Sequence, residues 1–486
     1  MNLQKLLSQV PIISVYGNEN IEINRIQFDS RQVQGGDIFV ATQGTQVDGH
    51  NFIPQAIEAG AKVIVCEKLP ENLLSHITYI HTSDSAEALG IMASNFYDNP
   101  SRKLRLVGVT GTNGKTTNVT LLYRLFKGLG YRVGMLSTVE NYINDKVLPA
   151  THTTPDAVQI NALLAQMVQE GCQFAFMEAS SHAIVQRRIA GLHFTGAVFT
   201  NISHDHLDFH KTFENYIKAK KKLFDDLPAS AFALSNFDDK RGSIMLQNTQ
   251  AHKYSFALKY PADFKAKIMD NTLQGLLMDF EGTQVWCRLI GEFNAYNLLS
   301  VYATAVLLGE EKERILPVLS ELYAAKGRFE QITDKLGRVG IVDYAHTPDA
   351  LENVLKTIQD LRKPHQRVIT IVGAGGNRDA AKRPAMAEIA CKYSDVVILT
   401  SDNPRFEEPE AILADMQKGV PITQRKKVLT IENRKEAISK ACEIAQKEDI
   451  ILLAGKGHET YQEIKGVKYE FDDKKILAEM MNWADK

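Results

Sequence analysis

The chain has 486 residues, with 56 Lys and Arg against 58 Asp and Glu, for a formal net charge of -2. That balance gives no general electrostatic reason to expect nucleic acid or a membrane surface as partner, and the length exceeds what one hydrophobic core usually serves. Apolar residues at 44% and charged residues at 23% are ordinary for a soluble globular chain, so two to four domains are expected.

In chain order, residues 37–41 and 62–66 read as short strands with a helix at 53–59 between them, a small α/β block. The polar cluster Asn99-Pro100-Ser101 closes that block. Residues 104–110 (LRLVGVT) form an apolar run of the kind buried in parallel sheets. A Gly-rich turn follows, then a helix marked by Val119, Leu122, Phe126 and Leu129. Further strands are expected at 174–177 and 197–200, and this second block ends near Lys326-Gly327. The third block repeats the alternation, with strands at 339–342, 368–373, 396–400 and 450–454 and helices at 349–361 and 434–446. Alternating strands and helices point to doubly wound, mostly parallel sheets. Cys66, Cys172, Cys287, Cys391 and Cys442 lie far apart without metal-finger spacing and read as reduced thiols. The amphipathic opening lacks a signal-peptide layout and no apolar run is long enough to span a membrane, so the expected location is the cytoplasm.

The unusual polar residues fall just after the expected strands, where open parallel sheets bind ligands. The strongest is GVTGTNGKTT, residues 108–117. Its glycines and helix start suit phosphate, Lys115 suits the β/γ-phosphates and Thr116 suits Mg²⁺, although Val109 stands where the strict P-loop has Gly. Glu178 ends the next strand as a candidate Mg²⁺ ligand or a solvent-facing carboxylate, with Ser180, His182 and Gln186 close behind. NISHDHLDFH, residues 201–210, admits zinc, but without a Cys it favours Mg²⁺ and substrate contacts, with His206 as the preferred ligand. YIKAKKKLF reads as an amphipathic helix whose Lys220, Lys221 and Lys222 make a solvated basic face. Asp343 to Pro348 suits a nucleotide contact or a helix start capped by Thr347. GGNRDAAKRP offers Arg378, Lys382 and Arg383, and its spacing fails the dinucleotide fingerprint. In SDNPRFEEP, Arg405 suits a carboxylate, or the segment is a surface turn.

Taken together, GTNGKTT, MEASSH, TNISHDHLDFH, GEFNAYNLLSVYA, GRFE, VDYAHTPDAL and AGKGHE resemble the motifs of the Mur ligase family, in that family's order and over nearly the whole chain. The resemblance implies three domains: residues 1–102 for a UDP-sugar, 103–326 for a central P-loop ATPase and 327–486 for a Rossmann-like amino-acid domain. It implies ATP and Mg²⁺ as cofactors, a monomer, and extension of UDP-N-acetylmuramoyl-L-alanyl-D-glutamate by one amino acid. By position, Gly111, Thr112, Asn113, Gly114, Lys115, Thr116 and Thr117 would hold ATP with Asn297, Arg328 and Asp343. Ser30 and the Thr45-Gln46-Val47 segment would hold the UDP-sugar. Thr153, Thr154, Ser180, Gln186 and Arg188 would line the peptide path. Lys220 is similar to the family's carbamylated lysine and would join Thr116, Glu178 and His206 at the metal. The form Asp402-Asn403-Pro404-Arg405 resembles that of members using meso-diaminopimelate, where lysine users carry DNPA; Arg378, Gly455 and Glu459 would share that end. The implied chemistry is an acyl phosphate formed from ATP and then attacked by the amine. Folylpolyglutamate synthetase shares the ATPase core but lacks a block like residues 1–100, and a regulatory NTPase would leave the third block's polar clusters unexplained.

Overall fold

Apolar runs without a polar break become strands covered on both faces, and the third block illustrates it best. The computed structural model describes residues 1–44, 47–150 and 152–483. Ile450–Ala454 and Val368–Val372 are buried at every position and lie side by side at the centre of a six-stranded sheet. Its order is Glu330–Thr333, Val339–Asp343, Ile450–Ala454, Val368–Val372, Val396–Leu399, Val428–Thr430, and only Glu330–Thr333 runs antiparallel. One face is covered by Leu351, Leu355, Met386 and Leu413, the other by Ile438, Ala441, Leu477 and Met481. This is the doubly wound arrangement expected of the Rossmann-like block.

The N-terminal sheet has five strands, in the order Ser14–Tyr16, Thr78–His81, Val63–Cys66, Ile38–Val40, Ile26–Gln27. All pairings are parallel except that of Ser14–Tyr16. Leu3, Leu6, Ala88 and Met92 pack on one face, and Ile53 and Ala56 on the other. In the second block Arg105–Thr110 lies between Phe174–Glu178 and Gly196–Phe199, all parallel. Phe126 packs on Phe174 and Phe176 at 4.5 and 5.1 Å between ring centres, which fixes a helix to this sheet.

Expected strand limits agree with the observed ones to within a residue or two. The antiparallel strands were not foreseen: Glu140–Ile143 with Lys146–Pro149, and Phe264–Thr272, Gly275–Phe280 and Thr283–Cys287. Except for Gly275–Phe280, which is mostly buried, they are partly exposed and interrupted by polar residues, so they lack a solid apolar run. By compactness the chain divides into two units. One holds residues 1–111, 122–200 and 214–255; the other holds 112–121, 201–213 and 256–486. All five cysteines are free and buried, and burial pushes the Cys66 and Cys442 thiols up to about 11. They are inert structural thiols. Among the described residues no helix is long and apolar enough to cross a membrane.

Candidate active site

In the first unit the strand Phe174–Glu178 ends on a buried carboxylate. Glu178 Oε1 accepts the Thr138 amide at 2.8 Å, and its carbonyl accepts the Thr154 hydroxyl at 2.7 Å. Thr154 in turn accepts the Ser180 amide at 3.1 Å, its carbonyl accepts Arg188 Nη1 at 2.8 Å, and Thr153 meets Thr138 at 3.1 Å. The chain thus gathers Thr153, Thr154, Ser180 and Arg188 about Glu178. Ser180 also caps the helix Ser181–Val185, and Gln186 sits at that helix's far end. A carboxylate taken out of water is retained where it is bonded, and carboxylate oxygens suit a hard cation.

The helix Phe213–Asp225 places Tyr216, Lys220 and Leu223 on its inner face by helical spacing. Lys220 is buried, donates to the Gly111 carbonyl at 2.8 Å and stands 4.6 Å from the Tyr216 ring centre. Lys221 is buried too and pairs with Asp225 at 2.5 Å, whereas Lys222 is half-exposed and pairs with Asp226 at 2.9 Å. The expectation of one solvated basic face is therefore corrected for Lys220 and Lys221. In the same unit Ser30 is buried and donates to Gln55 at 3.0 Å, and Val47 is exposed. Thr45 and Gln46 lie outside the described residues.

In the second unit the residues after Gly111 form a loop braced by the NISHD segment. Gly114 has φ 87°, a left-handed conformation that glycine adopts without strain. The Thr112 amide donates to the Asn201 carbonyl at 2.8 Å, and the Asn113 amide donates to Asn201 Oδ1 at 2.9 Å. Asp349 accepts from both Asn113 (3.2 Å) and Ser203 (2.8 Å). Sequence reasoning missed Asp349, which looks like any polar residue on a helix's first turn. Lys115 opens the helix and folds back onto the Thr112 carbonyl at 2.9 Å. Asn118 donates to the Gly114 carbonyl at 2.9 Å and to Asn297 at 2.8 Å, so Asn297 stands behind the loop. Arg328 reaches Thr116 Oγ1 at 3.4 Å, lies 4.6 Å over the Tyr344 ring, and keeps a buried Nε without a hydrogen-bond partner.

Asp343, at the end of Val339–Asp343, accepts the Phe329 amide at 2.6 Å. Burial lifts its carboxyl to about 6 against the pull of Arg328 and the amide. Thr347 caps the next helix through the Ala350 amide, which favours the helix-start reading for that residue. His206 is exposed, left-handed at φ 54°, and 3.4 Å from Asp205. His204 stacks on Phe213, and His210 is buried. Among the described residues no three His, Cys, Asp or Glu side chains are poised together around a cation. Glycines, amides at a helix start, Lys115, the Thr116 hydroxyl and the orphaned Arg328 Nε nonetheless fit a nucleoside triphosphate.

A second cluster in this unit surrounds the turn after Ile450–Ala454. Asn403 donates to Glu459 at 2.8 Å, and Gly455, at φ 115°, leaves room for Asp402: a Cβ there would stand 3.0 Å from Asp402 Oδ2. Arg405, at φ 53°, donates to the Gly376 carbonyl at 2.8 Å and stands 3.5 Å from Glu463. Arg405 and Arg378 both approach Gly375, and the Pro404 carbonyl crowds Gly376. These expected residues are therefore brought together. Arg383 is instead bound to Glu407 (2.8 Å) and Asp415 (3.0 Å) as a structural tie. Lys456, between two glycines of the AGKGHE motif, was missed although its setting signalled a functional turn.

Three family models match in succession: the Mur ligase catalytic domain over residues 22–97, the Mur ligase middle domain over 109–305, and the Mur ligase glutamate ligase domain over 327–457. The chain is similar to the UDP-N-acetylmuramoyl-L-alanyl-D-glutamate--2,6-diaminopimelate ligase of Cytophaga hutchinsonii, 61% identical with 100% of each chain covered. It is 53% identical to the protein of that name from Bacteroides fragilis, with 99% of each covered. A solved structure of a ligase of that name is 33% identical, covers 100% of this chain and 99% of its own, and has a TM-score of 0.70.

Proposed function

The chain belongs to the Mur ligase family, and on that premise we propose that it is the ATP-dependent ligase joining meso-diaminopimelate to UDP-N-acetylmuramoyl-L-alanyl-D-glutamate for peptidoglycan. The observation that carries the substrate assignment is the cluster of Asp402, Asn403, Arg405, Arg378 and Glu459 around the 375 and 455 turns. It offers carboxylates for an ammonium and guanidinium groups for a distal carboxylate, which lysine lacks. Full-length likeness to relatives bearing that name supports the same reading.

The reaction balances in two steps. An oxygen of the D-glutamyl γ-carboxylate bonds to the γ-phosphorus of ATP, and ADP leaves. The amine then attacks the acyl carbon, phosphate departs, and the amine's proton passes to solvent or a base. Lys115 meets charge that grows on the transferring phosphoryl group. Asn297, Arg328 and Asp343 would hold the nucleoside. Magnesium would supply further neutralisation of phosphate charge. Glu178 and Lys220 as a carbamate are anionic oxygen donors of the kind it takes, with Thr116 and His206 retained as proposed ligands. Ser30, Val47, Thr153, Thr154, Ser180, Gln186 and Arg188 are assigned to the UDP-sugar and peptide. The domain limits 1–102, 103–326 and 327–486, a monomeric state and a cytoplasmic location belong to the same proposal.

Two experiments test it. Purified protein with ATP, Mg²⁺ and the UDP-precursor is offered meso-diaminopimelate or L-lysine separately; product from diaminopimelate alone is expected, and product from lysine alone would overturn the Arg405 argument. For Lys220, protein equilibrated with ¹³C-bicarbonate should show a carbamate carbon by NMR that is missing from Lys220→Gln, whose ligation rate should fall by about 10²-fold or more. A signal that survives in Lys220→Gln places the carbamate elsewhere.

A further inference from the structure

The amino-acid end holds one charged side chain more deeply buried than the residues already assigned to it. Lys456 has no solvent exposure, and it lies in a turn whose flanking residues, Gly455 at φ 115° and Gly457 at φ 52°, are both left-handed. Its ammonium stands 3.1 Å from Asn403 Oδ1, 3.3 Å from Glu459 Oε2 and 3.5 Å from Asp402 Oδ1. Three oxygens face a group with three N–H donors, so the cation is satisfied within the protein. Asn403 completes the frame, accepting the Glu463 amide at 2.9 Å while it donates to the same Glu459 Oε2 at 2.8 Å. Asp402 Oδ2 and Glu459 Oε1 take no part in these bonds.

We propose that Lys456 is a positioning residue for the amino-acid substrate. It fixes one oxygen of Asp402 and one of Glu459, and it leaves those two carboxylates with a single net negative charge. One ammonium group of the incoming amino acid then completes the balance. The inference rests on the proposed ligase function and deepens it. Two carboxylates, Asp402 buried and Glu459 partly buried, repel each other without a counter-cation and are costly to ionise, so the pocket's preference for one ammonium depends on Lys456. Arg434 and Lys382 also feel this pair, Arg434 from both carboxylates and Lys382 from Asp402, but neither is shown bonded to them. A lysine that served only the packing of the turn would have no bearing on which substrate is weakened.

The test uses the full chain and steady-state kinetics with all three substrates. In Lys456→Met the KM for diaminopimelate should rise roughly 30-fold or more, while those for ATP and the UDP-precursor stay within about twofold. Adding Asp402→Asn to that variant restores the net charge and should recover part of the loss. If all three KM values rise together with a lower melting temperature, or if the double variant is weaker than the single, the positioning role is overturned. Lys456→Gln, which can still donate to both carboxylates, serves where Lys456→Met does not fold, with the same expected split. A wild-type enzyme that ligated lysine would overturn the substrate assignment, and the role of Lys456 would then be read from the lysine KM in the same variants.

Discussion

Replacing Lys115 by Met is expected to lower the ligation rate by about 10³-fold or more while leaving the fold as stable as before. The sign of the stability effect is what makes the experiment informative. Lys115 is the first residue of the helix Lys115–Gly128, and a cation at a helix N-terminus opposes the helix dipole by roughly 0.3–1 kcal/mol. Its ammonium is bonded to the Thr112 carbonyl of its own loop. A lysine that opposes the dipole of its own helix is suited to an anionic ligand at the same helix start. Met keeps the length of the side chain and removes the charge. Circular dichroism melting should therefore show a transition unchanged or slightly raised, and equilibrium binding of ATP should weaken. A melting temperature that fell as steeply as the rate would mean that Lys115 serves the loop rather than the phosphates.

The parts legible in the sequence share a physical property: they are runs in which every residue answers to one constraint. Ile450–Ala454 and Val368–Val372 are apolar throughout because both faces are covered, so their limits can be read directly. The loop at 111–117 is legible for a different reason, since glycines beside Lys and Thr at a strand end have few other uses. What could not be read is chemistry carried by one residue within an ordinary element. Asp349 occupies the first turn of a helix, where an acid is favoured anyway, and its bonds to Asn113 and Ser203 depend on how the chain is folded back. The burial of Lys220 and Lys221 defeated composition in the same way, because a run of lysines says nothing of which turn faces inward. The spacing from Tyr216 held that information, and only the resemblance to known ligases gave a reason to use it. The strands Phe264–Thr272 and Thr283–Cys287 were hidden by their partly exposed faces and polar residues.

The largest stability effect is expected at Arg434, where folding and the amino-acid end meet. Its side chain and that of Asp473 are fully buried, joined by two bonds at 2.8 and 2.6 Å, and the guanidinium also donates to the Ala454 carbonyl at 3.1 Å. Arg434 begins the helix Arg434–Ile444, Asp473 begins the helix Asp473–Trp483, and Ala454 ends the strand that feeds the 455–459 turn. Removing either partner leaves the other charge buried and unmatched, so Arg434→Met and Asp473→Asn should each cost about 3–5 kcal/mol in urea unfolding. Removing both charges at once, as Arg434→Met with Asp473→Leu, should cost less than either single change, because the desolvation penalty leaves with the charges. Nη1 of Arg434, buried without a hydrogen-bond partner, already makes the ion pair an imperfect bargain. The double variant should also weaken diaminopimelate binding more than ATP binding, since the Ala454 tether lies one residue before Gly455. A double variant as unstable as the singles would locate the stabilisation in the tether and the packing around it, and the charge pair would then contribute little of its own.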